Sequence, residues 1–327
     1  MGTAMYNDKQ KQEYINFEAT NEGALKRYFV RIAPKEDEYS KDIIEMKLDE
    51  VLDSLKSLKI RREESRGHLL SLLRGYRNWA FTNGKTKNKD VIGVITPESI
   101  GTDDAVKENM IGSPEHLLLI FDDALDYEYY ENKSKMSELL LRLLYEGMTL
   151  EEIQALKKTD ISDNSVKTIN GAEFVVSDDI IRLWKQCAQM DFYEKKNGRS
   201  TFSNKKDVNE YTKYDLVESV YLFRTIASSK SYPNTMMTLD SLRKIILAVF
   251  SACEKKTIPA RNINYSGILY KLLLAERAGK TITPEIIAQY FRIPYNEQSN
   301  LPTMTRKWRI DYEDWKIAFG YMQNNTI

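Results

Sequence analysis

The sequence predicts a mainly helical protein, with an N-terminal helical bundle and a C-terminal helical domain carrying one small β-hairpin or sheet. Three observations lead there. Apolar residues recur at three- and four-residue spacing along most of the chain. Only 14 Gly and 8 Pro interrupt 327 residues. Convincing strand signal is confined to SVKTINGAEFVVS, residues 165–177.

Residues 5–18 and 22–32 read as two short helices. Ser40 can cap a third, running to about Leu58, with Ile43, Ile44, Met46, Val51, Leu52 and Leu55 apolar. A fourth spans residues 63–81, with Leu69, Leu72, Leu73, Tyr76 and Trp79 on one stripe. This four-helix unit is assigned to residues 1–84. The polar run TNGKTKNKD at 82–90 opens a linker, placed at 85–112. The second domain, 113–327, opens at Ser113-Pro114-Glu115, where Ser is a good cap, Pro suits the first turn and Glu complements the helix dipole. An apolar helix at 136–146 is closed by Gly147, and Thr149 starts another. Asn170-Gly171 reads as a two-residue hairpin turn. Helices are then expected at 178–192, 214–228, 238–254, 264–279 and 283–291.

Composition narrows the function. Hydrophobic residues make up 42% and charged residues 29%, as in a soluble globular protein of two domains. The polar N-terminus lacks a signal-peptide core, and no stretch approaches the roughly 20 apolar residues of a membrane span, so a cytoplasmic location without a membrane partner is expected. Cys187 and Cys253 are lone residues on helical stripes, and His68 and His116 are the only histidines. Disulfide frameworks and zinc sites, and histidine chemistry in the final two-thirds of the chain, are thereby disfavoured, and no cofactor is implied. Walker A, HExxH, GxSxG and paired-carboxylate metal signatures are absent from the sequence.

The 48 basic and 48 acidic residues cancel, but they are segregated. Residues 34–54 carry eight acids against three lysines, whereas 55–80 carry seven basic residues against two glutamates. Further basic clusters comprise Lys195, Lys196, Arg199, Lys205 and Lys206, then Arg243 to Arg261, then Arg306, Lys307 and Arg309. Phosphates respond to such local patches rather than to the net sum.

The segment LLLRLLYEGMTLEEIQALKKTDIS, residues 139–162, resembles the first signature box of the tyrosine recombinases, the phage integrase family. Gly147, Glu152, Leu156, Asp160 and Ile161 sit where that pattern puts them. The hairpin that follows also fits, residues 40–81 resemble the family's core-binding bundle, and the chain resembles the integrase-like repressor of SPbeta-type Bacillus phages. What the resemblance implies is a scaffold that embraces duplex DNA between two domains. Active members hold the scissile phosphate with two arginines and flanking histidines, protonate the leaving oxygen with a hairpin lysine, and attack with tyrosine. Here the first arginine falls on Thr149, and Thr149 to Glu152 reads as a capping box instead. The second box aligns with INYSGILYKLLLAERAG, putting its histidine and arginine on Ile263 and Ser266. The third falls near Tyr290-Phe291-Arg292 without a histidine, and the nucleophile position lies close to Trp308 or Tyr312. Lys167 stands near the hairpin-lysine position.

Removing one transition-state charge stabiliser costs about 100- to 1,000-fold in rate. Losing both arginines and both histidines is therefore expected to abolish catalysis. The expected function is sequence-specific binding of double-stranded DNA, as a phage or prophage transcriptional repressor, with self-association or a small protein regulator as further partners. The expected contacts are Arg61, Arg62, Arg66, Arg74 and Arg77 on the 63–81 helix and its start, Arg243 and Lys244 on the 238–254 helix, and the clusters Lys195, Lys196, Arg199 and Arg306, Lys307. A divergent active recombinase and a helical protein-interaction scaffold are the competing readings.

Overall fold

The computed structural model describes residues 5–60, 63–88, 90–101, 103–128, 131–196, 211–227, 232–253 and 256–321. The chain divides into two compact units, Met1–Val106 together with Glu313–Ile327, and Lys107–Tyr312. The first is a helical unit and the second is helical with two small antiparallel sheets.

In the first unit, helices α1 (Asp8–Glu18), α2 (Glu22–Tyr39), α3 (Leu48–Ser57) and α4 (Glu63–Thr82) surround a core that includes Tyr14, Phe29, Ile32, Leu55, Leu69, Leu73 and Tyr76. A fully buried ion pair, Lys11 with Glu36, lies between α1 and α2. Burial pushes the Glu36 carboxyl up to about 7, although the Lys11 charge opposes it, and the Ile43 amide donates to its other oxygen at 2.8 Å.

Ser40 does not start a helix. It ends α2 in the left-handed region (φ 52°), with the Lys41 amide donating to the Glu36 carbonyl, a closure of the Schellman kind. α2 also runs through Pro34, whose fixed φ suits a helix and whose missing donor costs one bond; Ala33 and Glu36 bury on either side of it. α3 starts later, at Lys47, where the Glu50 carboxylate accepts the Lys47 amide at 2.8 Å.

Residues 85–112 are not the open linker that their polarity predicts. Ile92, Ile95 and Ile100 pack into the first unit's core, a 3-10 turn covers Glu98–Ile100, and α5 follows at Asp103–Asn109. The division between the units falls inside α5.

In the second unit, α7 (Glu131–Tyr145) is central. Its Leu139, Leu140, Leu143 and Leu144 share a core with Trp184 of α9 (Asp178–Gln189), Leu242, Ile246 and Phe250 of α10 (Leu239–Ala252) and Ile263 of α11 (Ala260–Arg277). α6 (Pro114–Glu128) and α8 (Leu150–Ala155) flank it, α12 (Pro284–Tyr290) follows, and α13 (Leu301–Ala318) begins in this unit and ends in the first. Strands β1 (Ile161–Ser162), β2 (Ser165–Lys167) and β3 (Glu173–Val175) form an antiparallel sheet in that order. The turn after β2 is longer than Asn170-Gly171 alone. The Gly171 amide donates to the Thr168 carbonyl and the Thr168 amide to the Ala172 carbonyl, so three residues make the loop. Gly171 alone has positive φ (77°), whereas a two-residue type I′ turn would require it at both positions.

The helix expected at 214–228 is absent. Instead β4 (Phe192–Lys196) pairs antiparallel with β5 (Tyr211–Asp215), from Phe192 opposite Asp215 to Lys196 opposite Tyr211. The chain then returns on itself, with Leu216 bridged to Ile226 and the Val217 amide donating to the Thr225 carbonyl. Leu216, Val217 and Phe223 are buried, but Val220, which helical spacing would also bury, is exposed. The aromatic and β-branched run YTKY favours a strand over a helix here.

Close packing of α11 on α7 depends on Gly267, where an added Cβ would lie 1.5 Å from the Tyr145 carbonyl oxygen. Backbone cannot swing aside as a flexible side chain would. Gly267→Ala should destabilise the chain by about 3 kcal/mol in urea unfolding. Gly23→Ala in α2, where an added methyl meets nothing within 4 Å, should be neutral or stabilise by up to about 1 kcal/mol. Equal stability of Gly267→Ala and the parent would contradict this packing.

Candidate nucleic-acid interface

In the second unit, the N-terminal end of α8, the outer face of α10 and the first turns of α11 enclose a cleft of about 930 Å³. Thr149 and Glu151 line one wall, Asp240, Arg243, Lys244 and Leu247 a second, and Arg261 and Asn264 a third. The placement of α10 follows from its sequence. Thr238 accepts the Ser241 amide at 3.1 Å and caps the helix, and the stripe Leu242, Ile246, Val249 and Phe250 fixes its rotation. Arg243 and Lys244 are thereby left exposed. Lys244 pairs with Asp240 at 2.7 Å, with both side chains mostly in solvent, where an ion pair is worth little. Among the described residues, the side chains of Arg243 and Arg261 make no hydrogen bond or ion pair.

Thr149 is a helix cap. Its hydroxyl accepts the Glu152 amide at 3.2 Å, and the Glu152 carboxylate accepts the Thr149 amide at 2.8 Å. Arg292, just beyond α12, completes the arrangement. Its guanidinium binds both Glu152 oxygens, donates to the Gly147 carbonyl at 3.0 Å, and lies 5.0 Å from the centre of the Phe174 ring. Burial pushes the Glu152 carboxyl up, but the hydrogen bonds from Arg292 and Thr149 and the Arg292 charge outweigh it and hold the group below its ordinary value. Gly147 adopts a positive φ (90°), which lets α7 end and the chain turn into α8.

Of the other positions aligned with catalytic residues, Ile263, Ser266 and Tyr312 are interior. Ile263 is fully buried in the core, and the buried Ser266 hydroxyl donates to the Asn262 carbonyl and accepts the Ile111 amide at 2.9 Å. Tyr312 is fully buried, with its hydroxyl donating to Glu276 at 2.8 Å. Trp308 packs on Phe291, which in turn packs on Tyr265. Lys167 is exposed on β2, opposite Glu173.

The arginines of α4 do not present a free face to phosphates. Arg66 is 4% exposed, and it donates to the Pro97 carbonyl at 2.8 Å and the Ile60 carbonyl at 3.2 Å. Arg74 donates to the Ile95 carbonyl at 2.7 Å, and Arg77 donates to the Asn88 carbonyl at 2.9 Å while lying over the Phe81 ring. The three side chains staple the backbone at Asn88, Ile95 and Pro97 onto α4. A helical wheel places them correctly on one face, but it cannot show that polar backbone from the following segment covers that face.

Arg61, Arg62 and Arg199 lie outside the described residues. Lys195 and Lys196 fall on β4, opposite Thr212 and Tyr211. Arg306 is exposed on α13, whereas Lys307 is half-buried with its ammonium 5.3 Å from the Trp308 ring centre. The cleft thus draws together Arg243 and Lys244 and adds Arg261 and Asn264, which sequence reading did not single out. Their only signal was a basic cluster ending at Arg261. Arg292 was visible only as a box lacking histidine, since its partner Glu152 stands 140 residues earlier.

Two family models match the chain. One, described as the C-terminal catalytic domain of MrpR, matches residues 127–307, and the other, the N-terminal core-binding domain of MrpR, matches residues 5–82. No curated protein matches. Among solved structures the chain is similar to XerA recombinase, at 11% identity, covering 92% of this chain and 97% of that one with a TM-score of 0.37. It is similar to the integrase of mycobacterium phage Brujita at 8% identity, covering 98% and 95% with a TM-score of 0.36. A lambda integrase dimer bound to a COC' core site is 11% identical, covering 93% and 77% with a TM-score of 0.35.

The Glu152–Arg292 pair makes a pH prediction. A carboxyl whose folded pKa is lowered contributes stability that is full above its unfolded value and is lost as pH falls through the folded one. Arg292→Met should destabilise the second unit by about 1.5–3 kcal/mol near neutral pH, as loss of charged hydrogen bonds does. The gap from the parent in urea unfolding should begin to shrink as pH falls below the ordinary glutamate range and close only once the lowered folded carboxyl also protonates. A gap independent of pH would contradict the assignment.

Proposed function

The chain belongs to the MrpR family, and on that premise we propose that it binds specific sequences in double-stranded DNA without cutting them. The finer reading is a phage or prophage transcriptional repressor, akin to the integrase-like repressors of SPbeta-type phages, built on a recombinase scaffold. The observation that carries it is the cleft, where Arg243 and Arg261 stand exposed without partners among the described residues, next to a lysine held only by a solvated carboxylate. Groups so placed can exchange water and a weak ion pair for phosphate and base edges.

Lack of cleavage is supported by what the aligned positions do. Thr149 caps a helix, Ile263 and Ser266 are interior, and Tyr312 is buried against Glu276. None offers a cation or a free nucleophile to a phosphodiester. Arg292, the guanidinium bound to the Thr149 capping partner, is engaged by Glu152 and the Gly147 carbonyl.

Gel shifts at two salt concentrations test the reading, with operator fragments recovered by genomic pull-down. Parent affinity should fall steeply with salt, with a log–log slope of about −0.9 per phosphate neutralised. Arg243→Ala should lower preference for operator over random DNA by about 1–3 kcal/mol, as expected for a guanine-reading arginine. Lys244→Ala should weaken both DNAs and flatten the slope. Arg66→Met should destabilise the first unit yet leave the slope unchanged, because its guanidinium already serves two carbonyls. Salt-independent binding, or none, would favour a protein-interaction scaffold. An equal loss on both DNAs from Arg243→Ala would remove α10 as the reader.

A further inference from the structure

A second cavity, of about 530 Å³, lies in the same unit and shares α10 with the cleft. The size is that of a small-molecule site. Met136, Ile226, Met237 and Ile245 give it largely apolar walls, and Arg224 and Lys244 supply the charge. Lys244 lines both hollows.

Arg224 is the unusual feature. It is 3% exposed, and among the described residues it forms no ion pair. Its Nη2 donates to the Cys187 and Met190 carbonyls, while Nε is buried without an acceptor. Burial pulls the guanidinium below its ordinary value, opposed by the field of Asp191, which does not reach it as a partner. A buried cation without an anion is costly, and buried charges in native proteins are normally paired. The apolar walls and a buried guanidinium that forms no ion pair among the described residues are complementary to one kind of molecule, an anion with a hydrocarbon body. The anion is more readily a carboxylate than a phosphate, since a single charge loses less hydration on entering an apolar cavity and the Nε–H left without an acceptor can donate to one of its oxygens.

We propose that this cavity is a binding site for a small apolar carboxylate, whose head group lies toward Arg224 and Lys244 and whose tail lies among Met136, Ile226, Met237 and Ile245. The site goes beyond DNA recognition. By its contact with Lys244, an occupant competes with Asp240 for the lysine and so touches the helix that lines the cleft.

The test uses the full chain without DNA, so its outcome does not depend on the DNA reading, and a failure of either leaves the other standing. Methyl NMR with labelled Met and Ile follows titration by octanoate, with octanamide as the uncharged control. Saturable shifts concentrated on Met136, Ile226, Met237 and Ile245, at least about tenfold weaker with octanamide, are expected. Ala248→Phe, which places a ring at the cavity wall, should abolish them. If that variant does not fold, the parent titration alone decides. No saturable shift, equal response to octanamide, or shifts spread over all labelled methyls would overturn the proposal.

Discussion

The second unit's cleft turns on one carboxylate. Glu152 accepts the Thr149 amide and both prongs of Arg292, while Arg292 reaches on to the Gly147 carbonyl and rests against Phe174. One buried group therefore ties together the end of α7, the start of α8, the edge strand β3 and the chain beyond α12. The cleft wall at Thr149 has its shape because that knot holds. A charged hydrogen bond inside a protein is stronger than one in water, and leaving either partner alone is costly, so the members of the knot hold or fail together.

This changes what the absence of an arginine at position 149 means. The threonine there satisfies two backbone amides through a reciprocal cap with Glu152, and the nearby guanidinium of Arg292 is turned inward by the same glutamate. Cationic groups that remain outward, Arg243 and Arg261, belong to other helices. The first unit follows a parallel logic. Arg66, Arg74 and Arg77 serve the carbonyls of Pro97, Ile95 and Asn88, and the buried Lys11–Glu36 pair anchors α1 to α2. Positive residues on a helix face are read as nucleic-acid contacts only when nothing in the chain uses them first.

Local chemistry was legible in the sequence, and long-range pairing was not. The cap at Thr149, the stripe that rotates α10 and the start at Ser113-Pro114 depend on residues three or four apart, and the structure contains all three. The helix expected at 214–228 failed because β5 pairs with a strand some twenty residues earlier and no short window holds that information. Ser40 was assigned to the wrong helix end because a serine caps in one backbone conformation and terminates in another. The polar run at 82–90 suggested an open linker because composition does not show that arginines from α4 satisfy the backbone after it. In the same way the cleft residues Arg243, Arg261 and Thr149 come from three helices and meet only in the folded chain.

The central claim is that this scaffold holds DNA and leaves its phosphodiester bonds intact. The most direct measurement incubates the protein with nicked suicide duplexes carrying the recovered operator and resolves each mixture on native and denaturing gels. The account predicts a retarded complex on the native gel and no protein–DNA species on the denaturing one, with Tyr312→Phe identical to the parent. A covalent tyrosine-linked adduct would contradict it.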